Sequence, residues 1–237
     1  MSDEFTGLLG RLRVEAAEFV LPQRCLVCGR FGAALHPECA ASLPAADGPR
    51  CHRCWRPGAG TWCERCASGG PAVPAFDGLR TPFTFTGDAR RAILEAKFRG
   101  VTALLVPLAR AAADVVPGEW AIEAVVPVPL ARGRRRSRGY NQAEVAAAEV
   151  AGCLGVPVQK RWLRRTRETP PQASLTADAR SRNLRGAFEV RLPDSAPRRV
   201  LVVDDVTTTG ATLEEAARAF RAAGARQVYA LAIARED

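Results

Sequence analysis

The stretch Val200-Leu201-Val202-Val203-Asp204-Asp205-Val206-Thr207-Thr208-Thr209-Gly210-Ala211-Thr212-Leu213 decides the fold. Four apolar, mostly β-branched residues predict a buried parallel strand. Two carboxylates stand at its carboxyl end, followed by three threonines and a glycine. Beyond them Leu213, Ala216, Ala217, Phe220 and Ala223 recur at helical spacing, and Thr212 with Glu215 fits a capping box. A strand–loop–helix turn of this kind aims backbone N–H groups and the positive end of a helix at one spot, which suits a phosphate. The loop from Thr207 through Thr208, Thr209, Gly210 and Ala211 to Thr212 supplies those N–H groups and four hydroxyls.

Asp204 and Asp205 are too close to such a phosphate to bind it themselves. They are placed instead to accept hydrogen bonds from vicinal hydroxyls, as on a ribose. A phosphate pocket beside a diol pocket describes a ribose 5-phosphate site. The plainer alternative is an ordinary strand-to-helix turn whose acids cap the helix. Two other phosphate-binding classes are excluded, because neither G-x-x-x-x-G-K-[ST] nor G-x-G-x-x-G occurs.

Working outward, the chain alternates strands and helices. Leu79–Thr86 reads as a strand, Asp88–Arg99 and Ala103–Val115 as helices, Glu123–Pro127 as a buried strand and Asn141–Cys153 as an alanine-rich helix. The Val200 strand and its helix come next, and Gln227–Ile233 supplies a last strand. Alternation of this type predicts an α/β class, a parallel sheet with helices on both faces, over residues 75–237. The loop-like stretch from Ser68 to Pro74 reads as the linker that opens it.

Seven of the eight cysteines lie upstream, between Cys25 and Cys66, and four paired-ligand knuckles recur there. They are Cys25-x-x-Cys28, His36-x-x-Cys39, Cys51-x-x-Cys54 and Cys63-x-x-Cys66. Each turn aims two donors at one point, and two turns complete a tetrahedral zinc site. Eight ligands make two closed, structural zinc centres. Short gaps favour sequential pairing: Cys25, Cys28, His36 and Cys39 on one metal, Cys51, Cys54, Cys63 and Cys66 on the other. An interleaved pairing is the alternative. Gly29 suits the tight turn after its knuckle, whereas Trp55 does not. Residues 21–74 thus read as a small double zinc-ribbon module, folded largely by its metals, so loss of Cys51 is expected to unfold it while sparing the distal domain. His52 is expected to face outward, and Cys153 to be a small buried apolar residue.

Over residues 1–20, Phe5, Leu8, Leu9, Leu12, Ala16 and Phe19 form a modest amphipathic helix, expected to pack on the chain's own body, with a membrane or partner contact as the alternative. The sequence has no apolar run of membrane-spanning length and no signal-peptide pattern. A cytoplasmic location is expected, where cysteines serve metals rather than disulfides. The net charge of +9 over 237 residues is almost wholly arginine, with Lys97 and Lys160 the only lysines. It favours polyanionic ligands such as nucleic acid or phosphorylated small molecules, although arginine-rich, lysine-poor composition also follows from GC-rich coding.

The acid-and-threonine string resembles the PRPP-binding motif of type I phosphoribosyltransferases. Joined to a zinc ribbon, it resembles the ComF family of competence-associated proteins. Three further stretches carry that resemblance over nearly the whole chain. They are Lys97-Phe98-Arg99-Gly100; Val126-Pro127-Val128-Pro129 followed by Arg132, Arg134, Arg135, Arg136, Arg138 and Gly139-Tyr140-Asn141-Gln142; and Arg164, Thr169, Gln172, Arg180, Arg182, Asn183, Leu184 and Ala187-Phe188. His36 departs from the cysteine common at that knuckle position, but imidazole is an equally good zinc donor.

The resemblance implies a type I phosphoribosyltransferase-like fold that binds PRPP with Mg²⁺, with Asp204, Asp205 and Lys97 as catalytic residues. Pro127, Val128, Arg134, Arg136, Arg138 and Tyr140 would hold the diphosphate. The arginines read as a mobile cationic loop, since guanidinium fits phosphate oxygens at two points; a solvated or nucleic-acid-contacting loop is the alternative. The family link implies phosphoribosyl transfer to an unknown acceptor in DNA uptake, with DNA and competence-machinery proteins as partners. No base stands in the phosphate loop, where purine-salvage enzymes carry a carboxylate. A second reading is therefore a non-catalytic PRPP- or nucleotide-sensing protein that binds single-stranded DNA or partner proteins through its zinc ribbon and basic loop.

Overall fold

The computed structural model describes residues 23–58, 61–167, 184–192 and 197–237. The amphipathic segment over residues 1–20, and Thr169, Gln172, Arg180, Arg182 and Asn183, lie outside them.

In chain order the elements are α1 (Pro37–Ala41), α2 (Glu64–Ala67), β1 (Gly78–Arg80), β2 (Phe83–Thr84), α3 (Gly87–Arg99), α4 (Leu105–Asp114), β3 (Ala124–Pro127), α5 (Arg132–Arg138), α6 (Gln142–Leu154), β4 (Leu163–Arg165), β5 (Phe188–Val190), β6 (Arg199–Thr207), α7 (Ala211–Ala222) and β7 (Gln227–Arg235). The main sheet runs β1-β7-β6-β3, with β2 also on β7, and every pairing in it is parallel. Val158 extends it with a parallel bridge to Val125.

Strand alternation divides the core into two layers. Leu201, Val203, Leu231 and Ile233 face one side, where α3, α4, α6 and the first cysteine module pack. Val200, Val202, Val228, Ala230 and Ala232 face the other, against Leu213 and Phe220 of α7 and the second cysteine module. A parallel sheet covered on both faces is why these strands read as continuous apolar runs. Each cysteine module lies on a different face, so neither is an independent appendage.

Several expectations are corrected. The Leu79–Thr86 strand is broken at Thr81-Pro82, because proline has no N–H for the ladder. The arginine stretch is not a loop but the helix α5, closed by Gly139 at φ +77, whose N–H donates to the Arg135 carbonyl. Its last turn gathers Arg135, Arg136 and Arg138, the sign that suits a helix carboxyl end. The antiparallel pair β4–β5 had no periodic signature. Cys153 is exposed, because the buried stripe of α6 runs through Ala143, Ala146, Ala147, Val150 and Ala151 and leaves it on the outer face.

Candidate functional site

The site sits where β6 ends beside β3. Asp204 and Asp205 occupy the carboxyl end of β6, and the turn from Thr208 to Gly210 leads into α7. The capping box does not form. Gly210, in the left-handed region at φ +81, caps the helix two residues earlier than Thr212, and the Thr209 hydroxyl accepts from the Ala211 N–H at 3.3 Å. Glu215, its expected acid, instead accepts from the Gly186 N–H at 2.5 Å. Phe76 packs at 3.7 Å from where a Cβ on Gly210 would stand.

Lys97, in the last turn of α3, places its ammonium 2.9 Å from Asp205 Oδ1, with both side chains largely buried. Asp204 Oδ1 accepts from the Asp205 N–H at 2.9 Å. Burial and the neighbouring Asp205 charge push the Asp204 carboxyl up to about 7, against the opposing pull of that N–H, Lys97 and Arg134. One acid is therefore neutralised by lysine while the other holds its proton near neutrality.

A cleft of about 180 Å³ opens over the acids, lined also by Lys97, Val128, Pro129, Arg134, Arg138, Asn141, Arg165 and Thr212. Arg134 and Arg138, one helical turn apart on α5, point to the same cleft, which is how a short helix serves where a loop was expected. Asn141 fixes the strand-to-helix geometry: its side chain donates to the Val128 carbonyl at 3.0 Å and accepts from the Ala143 N–H at 3.1 Å. Arg136 lines no part of the cleft. Neither does Tyr140, whose hydroxyl donates to the Ala96 carbonyl and so ties α6 to the turn that carries Lys97. Arg165 was not named from sequence, and Asn141 was named only as part of a motif and a helix start; the basic run Lys160–Arg167 is the signal that marks Arg165.

The knuckles assemble sequentially. Cys25, Cys28, His36 and Cys39 form one cluster and Cys51, Cys54, Cys63 and Cys66 another, with all donor atoms of each within 4.8 Å of one another. Tetrahedral thiolates about 2.3 Å from zinc stand roughly 3.8 Å apart, so both donor sets fit that metal. At the first, His36 turns Nδ1 to Cys28 Sγ at 3.4 Å, and Nε2 faces the Phe31 carbonyl at 3.2 Å, which fixes the ring for ligation through Nδ1. Hydrogen bonds from Arg30 bring the Cys28 thiol down to about 6. At the second, burial raises the Cys51 thiol, but the backbone N–H groups of Cys54, Cys63 and Arg53 outweigh it and hold the thiol at about 6. His52 is exposed, as expected.

Trp55 adopts the left-handed turn at φ +57, matching Gly29 at φ +71. Its indole N–H donates to the Thr81 carbonyl at 3.1 Å, and the Arg80 guanidinium stacks 4.4 Å above the ring. These contacts offset the roughly 1–2 kcal/mol that a side chain costs in that region.

Residues 106–236 match the family model described as the phosphoribosyl transferase domain. The DNA utilization protein YhgH of Salmonella typhimurium is 32% identical over 215 residues, 89% of this chain and 89% of that one. Competence protein F of Haemophilus influenzae is 36% identical over 115 residues, 48% of this chain and 50% of that one. Competence protein ComFC of Bacillus subtilis is 26% identical over 191 residues, 76% of this chain and 75% of that one. The match thus spans about half the length of the Haemophilus relative and most of the other two.

Proposed function

Because this chain belongs to the ComF family of phosphoribosyl transferase-domain proteins, we propose that its acid cleft binds PRPP with Mg²⁺ and transfers the phosphoribosyl group to an acceptor in the handling of imported DNA. The observation that carries this is the convergence of Asp204, Asp205 and Lys97 with Arg134 and Arg138 beside a helix amino end. In this reading the acids accept from the ribose hydroxyls, and the loop from Thr207 to Thr212 takes the 5-phosphate. Val128 and Pro129 with Arg134 and Arg138 face the diphosphate.

Breaking the bond from C1 to diphosphate develops positive charge on the sugar and negative charge on the leaving group. Lys97 and the two arginines stabilise the second, and Asp204 and Asp205 hold the sugar against the first. Bound Mg²⁺ adds charge neutralisation on the diphosphate oxygens. No nucleophile of the chain is needed. Residues 21–74 serve as the double zinc module and residues 75–237 as the transferase domain, in a cytoplasmic protein. Among the described residues no helix is long and apolar enough to cross a membrane.

Calorimetric titration with PRPP and Mg²⁺ tests the binding, and a diphosphate-release screen over acceptors tests the transfer. Replacing Arg134 and Arg138 with alanine is expected to weaken PRPP far more than ribose 5-phosphate, which lacks the diphosphate. Equal losses for the two ligands contradict diphosphate recognition. The absence of a carboxylate in the phosphate loop favours a second reading, PRPP sensing without turnover coupled to DNA or protein binding; saturable PRPP binding with no diphosphate release from any acceptor selects it.

A further inference from the structure

Beside the acid cleft lies a larger cavity of about 410 Å³, reached over Pro129, Leu130 and Arg165, which line both. Among the described residues its wall carries seven basic side chains and one carboxylate, Glu144, which pairs with Arg135 at 3.1 Å; Arg132, Arg165 and Arg167 each take part in a further interaction. Elsewhere arginines are matched by acids: Arg30 with Glu38, Arg110 with Glu149, Arg218 with Glu214 and Arg221 with Asp77. Here Lys160, Arg161 and Arg164 make no ion pair among the described residues. Cations held within one Debye length, about 8 Å at physiological salt, repel one another unless an anion lies between them. Lys160, Arg161 and Arg164 are exposed and line this one cavity.

Helix α5 divides the work. Arg134 and Arg138 face the acid cleft, whereas Arg132 and Arg135 face the second cavity. Two sets of cations on one helix give two anion pockets side by side. The second cavity continues through Lys160, Arg161 and Arg164 into a further hollow of about 590 Å³, whose wall adds Val158, Trp162 and Leu192. The far end carries an indole and two aliphatic side chains together with Gln159 and with Arg191, which pairs with Glu189 at 3.1 Å. Pockets for small organic ligands occupy roughly 300–1,000 Å³, so there is room for a whole second molecule.

We propose that this bipartite cavity is a binding site for a second ligand, a mononucleotide-sized molecule. Its phosphate lies among Lys160, Arg161 and Arg164 and its flat ring against Trp162, in a place separate from the neighbouring acid cleft. Guanidinium groups match phosphate oxygens in two-point contacts, and an indole face receives a planar ring. The proposal does not require the acid cleft to hold PRPP.

The test titrates the full chain with the four ribonucleoside 5′-monophosphates, with the matching nucleosides as phosphate-free controls. At least one nucleotide is expected to bind saturably and its nucleoside at least tenfold more weakly. Binding is expected to persist with saturating PRPP and Mg²⁺, and in Asp205→Ala. Arg161 and Arg164 are exposed, so replacing both with alanine preserves the fold, and the loss of two charge-assisted contacts is expected to weaken the nucleotide roughly tenfold or more. PRPP affinity should stay within about twofold in that variant. Trp162→Leu separates the two ends: it weakens nucleotides but leaves inorganic phosphate unchanged. The proposal is overturned if no nucleotide binds, if nucleotide and PRPP displace each other one for one, or if only oligonucleotides bind. If PRPP fails to bind the wild-type chain while nucleotides do, the acid-cleft reading fails and this one stands.

Discussion

The two cysteine centres are built from the same knuckle, yet the protein uses them differently. The first is peripheral. Cys28 is exposed, and the module docks through Leu35, Ala40 and Leu43 on the α3–α4 layer, with hydrogen bonds from Arg91 to the Leu26 carbonyl at 3.3 Å, from the Ala46 N–H to the Pro82 carbonyl at 2.7 Å and from the Thr84 N–H to the Pro44 carbonyl at 2.9 Å. The second is enclosed. Three of its four ligands are buried in the layer that holds α7, and its backbone is bound into the transferase domain on several sides. Arg235 of β7 donates to the Cys54 carbonyl at 2.9 Å, and Leu79 of β1 donates to the Arg53 carbonyl at 2.7 Å. Arg65, between ligands Cys63 and Cys66, pairs with Glu214 in the first turn of α7 at 2.6 Å. That turn follows directly on the Thr208–Gly210 loop beside the acids. Two sets of four donors, one with a histidine and one all cysteine, thus give one centre that clasps its own module and one that also props the site.

The largest expected effect comes from Cys51→Ser. Structural zinc supplies on the order of 10 kcal/mol of folding free energy in small metal modules, comparable with the whole stability of a typical domain. With the second centre packed under α7 and β7, its loss is expected to lower the melting temperature of the entire chain, read by calorimetry. An unchanged main transition would restore the expectation from sequence that only the ribbon unfolds.

Asp205→Ala sets the scale for the site itself. Losing a buried charged acceptor costs about 2–3 kcal/mol, which weakens PRPP by roughly 30- to 150-fold. Unchanged affinity removes the acids from the binding site.

Acidity gives a third measurement. Because the folded Asp204 carboxyl titrates near 7 rather than at the ordinary 3.8, the native state binds more protons than the unfolded chain between those values. Its contribution to stability therefore falls as pH rises through that window. Asp204→Asn is expected to flatten this part of the stability profile, and a slope unchanged in the variant assigns it to other groups.

Arg65→Ala should cost about 1 kcal/mol, as expected for one partly exposed ion pair, and weaken PRPP several-fold while both metals stay bound. Cys28→Ser, at the peripheral centre, is expected to leave PRPP affinity within about twofold. Similar PRPP losses from the two variants would erase the distinction between the centres.

Features with a repeating or spaced signal were legible before any coordinates. The β6–α7 unit carries its own apolar period, and the knuckles encode their ligands in pairs, so acids, loop and both metal sets could be named. What escaped depends on contacts from afar. Helix α5 buries none of its residues and has no apolar stripe to announce it; a glycine cap and the cations of its last turn hold it. The β4–β5 pair is three residues a side, too short for a period. The resemblance implied a diphosphate contact for Tyr140, and its hydroxyl donates to a carbonyl of another helix. The docking of the second centre was invisible because Arg65 and Glu214 are 149 positions apart.

Trp55 gives the enclosed centre an optical signature. The four indoles of the chain are Trp55, Trp62, Trp120 and Trp162, and two of them belong to the loops of the second knuckle pair. Trp120 is buried in a stack on Tyr229 with ring centroids 4.2 Å apart, and the Arg80 guanidinium that covers Trp55 also lies 5.0 Å from its ring. Trp55 is held in its left-handed turn by a bond to Thr81 and a guanidinium lid. Releasing that turn frees the ring to water and shifts its fluorescence to the red. The protein therefore carries an intrinsic dye that reads the state of the second centre and is blind to the first.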